Sequence, residues 1–148
     1  MKRIILTLLL MICHLAMSAQ TGLSMNALFE GQIVRQERMV ETRVRGKTLQ
    51  PYQLTFYRSL RFTATEDETK KLRKLMEEDI DGRSTSENIK KAERSYTCKL
   101  QLASSNGKNR FLCYQEQQKH QKAIEVTVIY MEGSVGSLEK LEKLLNQK

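Results

Sequence analysis

The sequence predicts an α+β fold: a mostly antiparallel sheet of about five strands packed by two or three helices. Three observations carry that expectation. Several segments alternate apolar and polar residues with period two, as half-buried strands do. Two segments repeat apolar residues at spacings of three and four, as amphipathic helices do. The connections are short, and Asn106-Gly107 between two alternating runs is a strong hairpin signal.

The chain opens on MKRIILTLLLMICHLAMSAQ. Lys2 and Arg3 supply positive charge. Ile4 to Leu15 is apolar apart from Thr7 and His14, and Ala16, Ser18 and Ala19 are small. A signal peptidase reads that order. Cleavage after Ala19 leaves Gln20 first. Cleavage after Ser18 would put small Ala16 three residues from the cut, where Met17 otherwise stands. Residues 1–19 therefore read as a signal peptide and residues 20–148 as a single α+β domain. Leu10-Met11-Ile12-Cys13 invites comparison with a lipobox, but Ile12 is not small, which argues against a lipid anchor at Cys13. The apolar run is shorter than the roughly 20 residues needed to cross a bilayer, and no later segment approaches it. The expectation is a periplasmic or secreted protein that is not integral to the membrane.

Removing 19 of the 148 residues leaves 129, enough for one domain. Without Lys2 and Arg3 the formal charge falls from +8 to +6. Such a charge favours anionic surfaces, whether phospholipid, lipopolysaccharide or acidic glycan, and it also serves plain solubility. Nucleic acid is not expected as a partner: the chain reads as exported, and its basic residues lack interleaved aromatics for base stacking.

The elements follow in order. SMNALFE, residues 24–30, reads as a short helix with Ser24 as cap, Leu28 and Phe29 inward and Gly31 at its end. Residues 39–46 alternate, with Val40, Thr42 and Val44 on one side and Glu41, Arg43 and Arg45 on the other. Pro51 then breaks the pattern. Residues 54–63 form a second strand with Leu54, Phe56, Leu60 and Phe62 of one parity. Arg58 falls on that parity too, either on a bulge, as a snorkelling or paired, partly buried arginine, because the strand begins later, or as an anion-binding residue.

Residues 65–81 give the clearest helix. Thr65 and Glu68 have capping-box spacing, and Thr69, Leu72, Leu75, Met76 and Ile80 make one stripe. Gly82 is the expected stop, and Glu77, Glu78, Asp79 and Asp81 are expected on the solvated side. Residues 83–92 are polar and poorly patterned and read as a loop, with room for a short helical turn near Glu87 to Ala92, and as the mobile part of the fold. Three strands follow: 95–103, 110–115 and 123–132. The last is the most apolar and reads as central, covered in part on both faces. Ser137 caps a final helix bearing Leu138, Leu141, Leu144 and Leu145.

Candidate chemistry is sparse. A four-residue turn sets Cys98 opposite Cys113, whereas a two-residue Asn106-Gly107 turn sets Cys98 opposite Gln115. A cross-strand disulfide and two free thiols both stay open. Cys-x-x-Cys is absent, which argues against redox chemistry. His120, the lone histidine after cleavage, sits in a polar loop without triad partners. No metal-ligand spacing, cofactor loop or pair of catalytic carboxylates stands out. Arg35, Arg38, Arg43, Arg45 and Lys47 cluster around the first strand. With Arg58 they define a candidate patch for an anion or a partner, while an exposed basic strand also guards against edge pairing.

The segments IEVTVIYMEGSVGSLEKLEKLL and RGKTLQPYQLTFYRSL, with a leader ending in Ala-Gln, resemble small exported proteins of unknown function from Bacteroidota. The resemblance implies a cell-envelope setting and an α+β fold, and it supplies no catalytic residues. The leading expectation is an exported, non-enzymatic binding or accessory protein that meets another envelope protein or an anionic envelope component. The alternative is a small envelope enzyme or inhibitor.

Overall fold

A computed structural model describes residues 22–120 and 122–147. The expected signal peptide, residues 1–19, and Cys13 lie outside the described residues. Six strands form one sheet, and every pairing is antiparallel. A short helix α1 (Asn26–Phe29) leads to β1 (Val40–Arg45) and β2 (Leu54–Ala64). Helix α2 (Glu66–Arg83) precedes β3 (Ser84–Ala92), β4 (Ser95–Ser105), β5 (Lys108–Gln118) and β6 (Ile124–Gly133), and α3 (Leu138–Asn146) ends the fold. The spatial order is β1-β2-β6-β5-β4-β3. A two-strand hairpin is thus joined to a four-strand meander, and β6 closes the join by pairing with β2.

β6 is central and apolar on both sides, as its sequence predicts. One face carries the larger core. Phe56, Leu60 and Phe62 of β2, Val126, Val128 and Tyr130 of β6, Leu112 and Tyr114 of β5 and Cys98 and Leu100 of β4 meet Leu72 and Met76 of α2. Leu23, Met25, Leu28 and Phe29 complete that side. The opposite face carries a smaller core of Leu49, Leu54, Phe111, Met131, Val135, Leu138 and Leu141, with α3 as its cover.

Several expectations need correction. Residues 83–92 are neither a loop nor a helical turn: Arg83 ends α2, and Ser84–Ala92 form the edge strand β3, paired along β4. Their side chains are mostly exposed, so the backbone ladder orders them and no apolar alternation marks them. α2 runs through Gly82 to Arg83, because nothing crowds that glycine and no left-handed turn is needed there. Its start is as expected: Thr65 accepts from the Glu68 N–H and Glu68 accepts from the Thr65 N–H. Asp79, expected in solvent, is fully buried. It accepts the backbone N–H of Ser24 at 2.7 Å and of Met25 at 2.9 Å. Ser24 therefore does not cap α1, whose first turn starts after Met25 with no side-chain cap. β1 is an edge strand rather than a half-buried one, and Val40 is 70% exposed.

The β4–β5 hairpin decides the cysteines. Ser105 pairs with Lys108 around Asn106-Gly107, as a two-residue turn requires, but the register shifts between Leu102 and Ser105. Beyond the shift Cys98 is opposite Tyr114, and Lys99 is opposite Cys113. Neither expected register survives. A one-residue slip sends the two side chains to opposite faces, so Cys98 joins the larger core and Cys113 the smaller one. Both are free thiols, and the cross-strand bridge is not formed. Burial pushes the thiols up, Cys98 to about 11 and Cys113 to about 12. Denatured, unreduced mature protein is accordingly expected to take up two equivalents of iodoacetamide. A mass two hydrogens lower, with no uptake, would contradict this register.

Candidate functional site

A cavity of about 420 Å³ opens where the end of the β3–β4 hairpin meets α2 and the adjoining ends of β5 and β6. Tyr96 forms part of its wall. Because β4 alternates, Tyr96 shares a face with Cys98 and Leu100, yet it stands near the sheet's end, where α2 gives way to solvent. The Arg73 guanidinium of α2 lies 5.1 Å from the ring centroid, and the Lys91 ammonium of β3 lies 5.8 Å from it. Both distances allow cation–π attraction. Tyr114 meets the Tyr96 ring edge-on at 6.0 Å. Arg94, Glu77 and Glu93 line the same cavity.

Glu116 is the buried charge of the site, only 3% exposed. It accepts the Arg73 Nε–H at 2.8 Å, a second bond from Arg73 Nη2, and the Tyr114 hydroxyl at 2.5 Å. This fork holds the carboxylate against α2 and fills its lone pairs, which a carboxylate removed from water requires. The carboxylate raises Arg73 above the usual guanidinium value. Burial, reinforced by Glu116, holds the Tyr114 phenol well above its ordinary value. Burial likewise pushes Tyr96 up to about 12. Both tyrosines stay neutral at physiological pH.

The same Tyr-x-Glu pattern recurs on β6, where the Tyr130 hydroxyl donates to Glu132 at 2.6 Å. Both acids share the apolar parity of their strands, Glu116 with Leu112 and Tyr114, Glu132 with Val128 and Tyr130. A charge on a buried parity was the signal that could have found this cavity. Sequence reasoning singled out none of Arg73, Lys91, Tyr96 and Glu116. Glu116→Ala strips Arg73 and the buried Tyr114 hydroxyl of their acceptor. It is expected to cost about 2–3 kcal/mol in urea denaturation, and Tyr114→Phe about 1. A loss below roughly 0.5 kcal/mol for the first would mean the fork is not formed.

The sequence-predicted patch is organised differently. Arg43, Arg45 and Arg58 do share one face of the β1–β2 hairpin, with Arg43 opposite Arg58. Glu41 sits between Arg43 and Arg58, bonded to each at 2.5 Å. Arg58 is mostly buried: it donates to the Phe29 carbonyl at 3.1 Å and stacks 4.9 Å over the Phe29 ring. That explains its place on the apolar parity without a bulge, since the register shift of β2 falls between Leu54 and Phe56. Burial pulls the Arg58 guanidinium down, against the pull of Glu41. Arg45 stacks 4.4 Å over Phe56. Lys47 begins a 3-10 turn, Lys47–Tyr52, beyond the strand. His120 is exposed, and among the described residues no three of His, Cys, Asp and Glu gather as metal ligands. No described helix is long and apolar enough to cross a membrane.

Fold and site together define an α+β protein of one antiparallel sheet, with a polar, aromatic-walled cavity at one end. The chain belongs to a family of unknown function (DUF6108), whose model matches residues 12–145. No curated protein matches the chain. Among solved structures it is similar to the thermo- and acido-stable ORF-99 from the archaeal virus AFV1. That likeness has 12% identity and a TM-score of 0.31, covering 74% of this chain and 86% of that one.

Proposed function

We propose that this is an exported, non-enzymatic binding protein of the Bacteroidota cell envelope, and that it takes an anionic envelope component into the cavity over Tyr96. The observation that carries the reading is the convergence of Arg73 and Lys91 on one aromatic ring, in a cavity that Arg94 also lines. A flat apolar ring beside cations suits an acidic sugar, whose C–H face stacks while its carboxylate meets ammonium or guanidinium. Glu77 and Glu93 share the rim, so position rather than bulk charge selects the ligand. Binding is favoured over the enzyme alternative because the inner acid, Glu116, is enclosed by Arg73 and Tyr114, and the tyrosines are held neutral. The leader and the positive charge support the envelope setting.

The test is titration of the mature protein with trigalacturonate and with maltotriose, followed by amide NMR shifts. Shifts around Tyr96 and Arg94 are expected for the acid only, with affinity lowered about tenfold in Lys91→Gln/Arg94→Gln and lost in Tyr96→Ala. Equal response to both sugars, or none, would overturn the ligand. Export is checked separately by recovery of protein beginning near Gln20 from periplasm or medium. Full-length protein in the cytosol would remove the envelope setting.

A further inference from the structure

β1 ends the sheet, with a ladder neighbour on one side only, β2. Its backbone therefore offers a row of N–H and C=O groups to another strand. Its side chains are exposed except for Val44, which is partly buried against the smaller core. Val40 is the most exposed large apolar side chain among the described residues. The run Val40-Glu41-Thr42-Arg43-Val44 has a mirror order: apolar, charged, Thr42, oppositely charged, apolar. Because strand side chains alternate, Val40, Thr42 and Val44 share one face and Glu41 and Arg43 the other. Glu41 and Arg43 are bonded to each other within the chain.

We infer that β1 pairs with β1 of a second copy, antiparallel and centred on Thr42, to join two six-stranded sheets into one. A two-fold axis between antiparallel edges runs normal to the sheet and passes beside one residue of each copy, so each face meets its own kind. Centred on Thr42, Val40 lies opposite the partner's Val44. Thr42 lies opposite the partner's Thr42, and Glu41 opposite the partner's Arg43. An axis at Glu41 would set carboxylate against carboxylate, and one at Arg43 would set guanidinium against guanidinium. Like charges directly opposite are unfavourable, whereas β-branched, Thr–Thr and opposite-charge pairs are favourable. The Glu41–Arg43 pair within each chain persists: the Arg43 side chain is 59% exposed, and a guanidinium has donors for two acceptors. The two copies then close a ring of alternating charge. The charges choose the register, while the open backbone and the exposed valine supply the attraction. The other edge, β3, carries Lys90 and Lys91 side by side, a common guard against such pairing. The inference does not rest on the cavity over Tyr96.

The experiment is sedimentation of the mature protein from about 5 to 500 µM, since so short a ladder makes a weak interface. A monomer–dimer equilibrium is expected. Val40→Lys sets an ammonium against the partner's Val44, and Arg43→Glu sets carboxylate against carboxylate. Each should weaken the dimer about tenfold or more, while Ile89→Lys on β3 and Tyr96→Ala should leave it unchanged. Cysteine pairing reads the register. Thr42→Cys brings two thiols together at the axis and should give a disulfide-linked dimer on oxidation, whereas Val40→Cys should not. The native Cys98 and Cys113 sit in the two cores and do not compete. A wild-type chain that stays monomeric throughout would overturn the inference. So would a dimer lost in Ile89→Lys but kept in Val40→Lys, or cross-linking through Val40→Cys and not through Thr42→Cys.

Discussion

Gly133→Ala is expected to destabilise the fold by about 3 kcal/mol or more, an unusually large effect for one methyl group. Gly133 ends β6 and pairs with both Leu54 and Asn109. A Cβ there would lie 2.2 Å from the Gln53 carbonyl oxygen and 2.7 Å from the Leu54 Cα. These are backbone atoms, so no rotamer change relieves the clash. The Gln53 carbonyl cannot recede cheaply either, because it accepts the Ser134 N–H at 3.0 Å and the Val135 N–H at 3.2 Å. Gln53 is itself fixed in a left-handed turn, at φ 53°. The missing side chain therefore lets two backbone segments touch, the usual meaning of a strand glycine at such a point. Gly136→Ala is the control, since its Cβ would meet nothing within 4 Å; it should stay within about 0.5 kcal/mol of wild type. Urea denaturation of both variants decides the matter. A Gly133→Ala loss under 1 kcal/mol would mean β2 and β6 do not approach as described.

Asp79→Ala is the second large effect, expected at about 2–4 kcal/mol. The carboxylate is wholly buried, and the N–H groups of Ser24 and Met25 point at it, with Arg83 Nη1 at 3.3 Å. Removing it strands two donors, one of them on a residue with no exposed surface. It also releases the segment that inserts Leu23, Met25, Leu28 and Phe29 into the larger core. Hydrogen exchange should therefore accelerate first at the amides of Ser24 and Met25. Unchanged protection there would separate Asp79 from the anchoring of this segment. Asp79→Asn keeps one acceptor and should lose less.

The pH dependence follows from burial. Burial pushes the Asp79 carboxyl up, and the two backbone donors pull it partly back. Its folded value therefore lies above the unfolded value of about 3.9, and the folded chain holds the proton more tightly. Stability from this source is complete below the unfolded value and is lost as pH rises through the folded one. Asp79→Asn does not titrate, so wild-type stability relative to that variant should fall as pH rises above the unfolded value of about 3.9.

The leucines of α3 and the capping box of α2 were legible because each is written in local spacing. The apolar parity of β6 was legible for the same reason. β3 was not: an edge strand is ordered by the partner's backbone, and STSENIKKA carries no periodic pattern to reveal it. The cavity was half legible. Glu116 on a buried parity is visible in the sequence, but its partner Arg73 lies 43 residues away on α2. Arg58 was visible as an anomaly, and its resolution needed Phe29 and Glu41 brought beside it by α1 and β1.

By itself the sequence determined the α+β class, the starts of α2 and α3 and which strand is central, because 3.6- and 2-residue periods and caps are properties of neighbouring residues. The tertiary structure alone decided which face each cysteine joins and which acid is buried. It also decided which glycine cannot take a side chain. A one-residue register slip, a helix laid across a sheet and the meeting of two backbones each depend on residues far apart in the chain, and no local spacing encodes them.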